Sequence, residues 1–244
     1  MLANSSSSPA APAATASKGT SMIARQAIVN AEKAVIGYEL FNRSRAPMEH
    51  TAATDVLLLF TALSHTGRED LVGTKLLFVN STHESLAGGH LELLSPEKVV
   101  LEVEPLGHVA ASEALARLPI LRSLRERGFK LSFNHTVLES AYATWLPLAD
   151  YIKLDMNLLR PEQLAVLTSH AIRHSKAQLV ATKIETEEQF TLARSLGAAL
   201  FQGYWFSRPA VVETKLLAPN QVSIIQLINL LRQQPSTDAI EGVL

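Results

Sequence analysis

Cysteine is absent from the 244 residues, which excludes disulfides, thiolate metal sites and cysteine nucleophiles and fits a reducing compartment. No run of roughly eighteen apolar residues occurs that would span a bilayer, and the N-terminus has neither the charged start nor the apolar block of a secretory signal. A cytoplasmic protein without membrane contact is therefore expected. Charge of one sign is also lacking: 22 Lys and Arg stand against 23 Asp and Glu, so no strong field draws in nucleic acid, a membrane surface or another polyanion. No Gly-rich phosphate loop follows the first strand-like run, which argues against a dinucleotide-binding open sheet.

What the chain does have is apolar residues, 47% of the total, enough for one large core of barrel size. Residues 1–21 are mostly Ala, Ser and Pro, with too little to bury to offset the entropy of ordering, and read as a disordered tail. The runs ARQAIVN and KAVIGYEL, separated at Ala31 and Glu32, predict a hairpin. Strand-length apolar runs follow at 75–80, 99–104, 129–133, 150–155, 178–184 and 199–203. Between them the segments at 53–65, 111–128, 161–175 and 186–197 repeat apolar residues three and four apart and predict amphipathic helices. Gly128 and Gly197 stand where helix C-caps belong, and Thr186 with Glu187 and Glu188 opens its helix as an N-cap with an acidic first turn. Strand and helix in alternation imply a parallel sheet with helical crossovers, here a barrel over residues 22–219. Residues 220–244 read as a greasy C-terminal helix from about 221 to 233, a break at Pro235, and a lead into a further domain.

Chemistry in a parallel barrel sits at the C-terminal ends of its strands. Glu39, Asn80, Glu102, Lys153, Glu185 and Gln202 are polar residues ending otherwise apolar runs. Taken singly, each reads as a strand-end residue hydrogen-bonded to a loop. Converging on one face, the carboxylate and carbonyl oxygens suit Mg²⁺, and a Lys suits an attacking oxygen or a phosphate. His65, His170 and His174 read as plain surface residues without ligand spacing.

The motifs around these residues resemble the EAL domains of cyclic di-GMP signalling. The opening ARQ followed by GYELFNR is similar to their first-strand Gln and Gly-x-Glu-x-Leu-x-Arg signature, placing Glu39 and Arg43, and is nearest to EAL domains that precede an HDOD domain. FVNST resembles their Asn-x-Ser segment at Asn80, LEVE their Leu-Glu-Ile-Thr-Glu segment at Glu102, and DYIKLD their Asp-x-x-Lys-Ile-Asp segment at Lys153. IETEEQ falls on the loop after the sixth strand at Glu185, and FQGYWFSRP is close to their Gln-Gly-Tyr-x-Phe-Ser-Arg-Pro signature at Gln202. The resemblance implies an α/β fold, a variant TIM-type (β/α)₈ barrel with an N-terminal β-hairpin and one antiparallel strand. It also implies that Gln26, Arg43 and Asp150 contact cyclic di-GMP.

Active members of the family carry Asp-Asp-Phe-Gly after the strand that corresponds to FKLSF, and its aspartates help to hold two divalent cations. Ser132, Phe133, Asn134 and His135 stand there in this chain, and Thr182 stands where the family has a further metal-binding Glu. Three carboxylates are thereby missing, the Phe133 ring is expected where a cation would lie, and no metal or cofactor is expected. The leading reading is a catalytically inactive EAL-like domain in which Glu39, Asn80, Glu102, Lys153, Glu185 and Gln202 are vestigial. It would act through contacts with another signalling protein or an adjacent domain, with a homodimer plausible. The alternative is a cyclic di-GMP receptor that binds without hydrolysis, and an active phosphodiesterase is the remaining option.

Overall fold

The computed structural model describes residues 21–42, 75–94, 96–106 and 111–214. The tail at 1–20, Arg43, the helix expected at 53–65 and the segment at 220–244 lie outside them. Strands β1 (Ser21–Asn30) and β2 (Val35–Asn42) form the expected antiparallel hairpin. Its turn is held by Asn30, whose side-chain oxygen accepts from the Ala34 N–H at 2.8 Å, while Lys33 takes a left-handed φ of 62°.

Six further strands follow in parallel: β3 (Leu76–Ser81), β4 (Val99–Val103), β5 (Lys130–Asn134), β6 (Tyr151–Asp155), β7 (Gln178–Thr182) and β8 (Leu200–Phe201). Pairing runs β2-β3-β4-β5-β6-β7-β8-β1 and closes through β1 against β2, so β1 is the antiparallel strand of a closed barrel of eight strands. A short ninth strand, β9 (Ala210–Thr214), pairs antiparallel with the outer part of β1 and has no counterpart in the sequence reading.

The crossovers are built from α1 (His83–Leu86), α2 (Ala111–Glu126), α3 (Pro161–His174) and α4 (Glu187–Ser195). Helix α4 starts in a capping box: the Thr186 hydroxyl accepts from the Gln189 N–H at 3.3 Å and the Gln189 side chain accepts from the Thr186 N–H. Helices α2 and α4 are followed by Gly128 and Gly197 at φ of 94° and 96°, values that L side chains adopt only under strain. Between β5 and β6 three 3₁₀ turns over residues 135–148 replace a helix, and they bury Trp145, whose indole N–H donates to the Ala114 carbonyl at 2.7 Å.

Two apolar clusters result. One fills the space between the strands and the outer elements. The other, of Ile28, Phe78, Val100, Tyr151, Val180 and Leu200, plugs the barrel interior with one residue from each of six strands. Each of these side chains contributes about 1.5–3 kcal/mol by leaving water. Because strand side chains alternate with period two, the next inward positions toward the mouth are Gln26, Asn80, Glu102, Lys153, Thr182 and Gln202, and the apolar plug is the floor of a polar chamber.

Candidate functional site

Glu39, Glu102 and Lys153 meet at the centre of that chamber. The Lys153 ammonium lies 2.8 Å from Glu39 Oε2 and in direct contact with Glu102 Oε1. Gln202 donates to Glu39 Oε2 at 2.7 Å and to Gln26 Oε1 at 3.3 Å, and Asn80 donates to Glu39 Oε1 at 3.4 Å. Gln26 in turn donates to the Ser207 carbonyl at 3.0 Å, tying the hairpin to the loop after β8.

One ammonium faces two buried carboxylates, and the proton balance follows. Burial pushes Glu39 up, but the Lys153 charge and its hydrogen bond, with help from Gln202, hold it below the usual carboxylate range. Burial and the neighbouring Glu39 charge push Glu102 up to about 8 despite Lys153. Burial lowers Lys153, but the two glutamates outweigh it and raise its pKa. At neutral pH the cluster therefore holds Glu39 ionised, Lys153 charged and Glu102 protonated, with no net charge.

Two hollows open on this cluster, of about 640 Å³ and 370 Å³, and both are lined by Glu39, Lys153 and Thr182. Gln26, Lys183, Gln202, Gly203 and Tyr204 line the larger. Asn80, Glu102, Ser132, Asn134 and Asp155 line the smaller. The buried Ser132 hydroxyl has no hydrogen-bond partner among the described residues.

Asp155, which the sequence reading did not single out, reaches the mouth because it stands two positions beyond Lys153 on β6. Its Oδ1 accepts from the N–H groups of Asn157 and Leu158 at 2.9 and 3.1 Å, and its Oδ2 pairs with Lys183 at 2.7 Å. Burial is the largest single influence and pushes its pKa up, but Lys183 and those N–H groups together outweigh it and hold it below the usual value. Lys183 is set there by a left-handed φ of 58° at the end of β7.

The other expected site residues divide. Glu185 lines the larger hollow at its rim, where Asn157 donates to it at 3.1 Å, and it is not part of the central cluster. Asp150 precedes β6 at the opposite end of the barrel. There its carboxylate accepts from the Leu131 N–H at 2.8 Å and pairs with Arg125, so it joins strands instead of facing a ligand. Phe133 lines the smaller hollow, but it alternates with the inward Ser132 and Asn134 and packs its ring against Trp145 at 5.7 Å in the outer core. The residue before it fills the inward place with a hydroxyl.

These donors do not fit a pair of divalent cations. Glu39 and Glu102 share the Lys153 ammonium, Asp155 is engaged by Lys183 and its own turn, and Ser132 and Thr182 bring no charge. Among the described residues no group of three or more His, Cys, Asp or Glu is placed to hold a metal ion.

The family model for the EAL domain matches residues 78–209, 132 positions and so more than half of the chain, and the chain belongs to the EAL-domain family. It is 28% identical over 215 residues to the cyclic di-GMP phosphodiesterase CdgJ of Vibrio cholerae serotype O1, a match covering 85% of this chain and 49% of that protein. It is 26% identical over 227 residues to the uncharacterized protein YuxH of Bacillus subtilis, covering 88% of this chain and 54% of that one. The chain thus spans about half the length of these curated relatives.

Among solved structures, the calcium and cyclic di-GMP complex of Klebsiella pneumoniae BlrP1 aligns with a TM-score of 0.62 at 22% identity, over 85% of this chain and 60% of that one. Bacillus subtilis YkuI with cyclic di-GMP and calcium aligns with a TM-score of 0.61 at 21% identity, over 87% and 62%. Both likenesses support the barrel with its outer helices. No helix among the described residues is long and apolar enough to cross a membrane.

Proposed function

We propose that this EAL domain is a non-catalytic member of its family that acts through contacts with another signalling protein or an adjacent domain, of the HDOD kind in the nearest resemblance. The observation that carries this reading is the neutral Glu39–Lys153–Glu102 cluster: the carboxylates retained at the mouth are already compensated by an internal ammonium. Hydrolysis by a two-metal clamp needs two cations to stabilise the attacking and leaving oxygens. A mouth that offers a hydroxyl at Ser132 and another at Thr182 has little charge with which to hold them. Leu158 and Tyr204 stand exposed at the rim, 66% and 54% accessible, and provide apolar surface for a partner. A cytoplasmic location and a homodimer belong to the same reading.

The test is incubation with cyclic di-GMP in Mg²⁺ and in Mn²⁺. No linear dinucleotide is expected in either, and product formation that disappears in Glu39→Ala would overturn the reading. A second reading, a receptor that binds cyclic di-GMP without cleaving it, is favoured by the hollow of about 640 Å³ with Lys183 and Tyr204 at its edge. Calorimetry in Mg²⁺ and then in EDTA separates the two: saturable heat that survives EDTA supports the receptor, and silence in both supports protein contact alone.

A further inference from the structure

Helix α3 carries His170 and His174 in its last two turns. It returns from the mouth to the start of β7, so this pair lies at the opposite end of the barrel from the central cluster. The sequence reading treated both as surface residues without ligand spacing, yet four residues apart on a helix they share one face. Their rings stack with centroids 4.2 Å apart and planes inclined by 29°.

His174 Nδ1 lies 2.9 Å from the His170 carbonyl oxygen. A carbonyl only accepts, so Nδ1 carries the hydrogen, and in the neutral imidazole the lone pair belongs to Nε2. A backbone carbonyl that fixes one ring nitrogen as donor is the device that orients metal-binding histidines. The i, i+4 spacing is the one at which helices present two imidazoles to a single zinc ion. The rings are stacked and not convergent, so binding one ion through both requires His170 to rotate about its soft ring torsion. His174 is exposed and His170 half-buried.

We propose that His170 and His174 form a site for one transition-metal dication of the zinc or copper class, separate from the mouth and independent of the function proposed above. Imidazole nitrogen prefers such ions to Mg²⁺ or Ca²⁺. Two protein ligands leave the remaining coordination positions to water.

The test is calorimetric titration of tag-free protein with Zn²⁺, with Cu²⁺ electron paramagnetic resonance as a second readout. Saturable binding at no more than one ion per chain is expected. It should weaken at least about tenfold in His170→Gln and in His174→Gln and stay unchanged in His135→Gln, whose imidazole lies at the mouth. The copper spectrum should show two imidazole nitrogens in the native chain and one in either variant. Circular dichroism checks that the variants fold, and zinc should raise the melting temperature of the native chain but not of the double variant. Absence of Zn²⁺ and Cu²⁺ binding in the native chain, or binding that persists in the double variant, overturns the proposal.

Discussion

Lys153 does at the residue scale what bound cations do in a metal-dependent site: it compensates the buried Glu39 carboxylate and touches the Glu102 carboxyl beside it. Removing it in Lys153→Met leaves Glu39 and Glu102 facing each other without a counter-charge. A loss of about 3–5 kcal/mol in chemical denaturation is expected, as for other buried pairs deprived of one partner. A loss below about 1 kcal/mol would mean that water reaches the cluster and screens it. Glu102 makes a pH prediction. Its pKa is raised from the ordinary 4.5 to about 8, so within that window the native protein keeps a proton that the unfolded chain has released. Its contribution is complete below about 4.5 and is lost as pH rises through about 8, with a slope of about 1.4 kcal/mol per pH unit between them. Glu39 acts in the opposite sense: its pKa is lowered, so its contribution is present above the ordinary value and is lost on acidification. Glu102→Gln imitates the protonated carboxyl at every pH. The variant should therefore lose the fall in melting temperature that Glu102 causes toward pH 8, and melt above the native protein there; a native protein that falls no more steeply than the variant over that range contradicts the assignment.

Elements are held by local chemistry that a single substitution can probe. Thr186→Ala removes the hydroxyl that accepts from Gln189 and should cost about 1 kcal/mol in thermal or urea unfolding. Gly203→Ala should cost more, because a Cβ there would sit 2.0 Å from the Ile184 oxygen and 2.3 Å from its nitrogen, both backbone atoms that cannot swing away. An unchanged stability of Gly203→Ala would mean that the loops after β7 and β8 separate readily. These devices also explain which elements could be read directly. Apolar runs between helices with clear start and stop residues identified β3 to β8, α2, α3 and α4 within a few positions. Strand β9 escaped because five residues without a turn signal become a strand only by pairing with β1, a contact almost two hundred positions away in the chain. Phe133 and Asp150 were misplaced for a related reason: motif matching assigns a position in a segment, whereas the side of the strand and the end of the barrel are set by register and by hydrogen bonds such as Leu131 to Asp150.

Closure of the barrel brings the mouth residues together, because no two neighbours in the chain supply the central cluster. Glu39 comes from β2, Glu102 from β4, Lys153 from β6 and Gln202 from just past β8. The individual residues were legible in the sequence as polar strand ends, but their mutual compensation was not, since it depends on the stagger of the closed sheet. If missing charge is what separates this mouth from a cation site, putting charge back should change the behaviour of the whole molecule toward cations. The native chain is expected to melt at the same temperature in millimolar Mn²⁺, in millimolar Mg²⁺ and in EDTA. Ser132→Asp combined with Thr182→Glu adds two carboxylates at positions that line the same hollow as Glu39 and Asn80. That variant should be less stable than the native chain in EDTA, because buried like charges repel, and should regain several degrees in Mn²⁺ by binding linkage. Stabilisation of the native chain by Mn²⁺, lost in Glu39→Gln, would show that the mouth holds cations as it stands and would remove the basis for the non-catalytic reading. A double variant that stays indifferent to Mn²⁺ would shift the explanation from missing charge to Lys153, whose ammonium would then have to leave the cluster before any cation could enter.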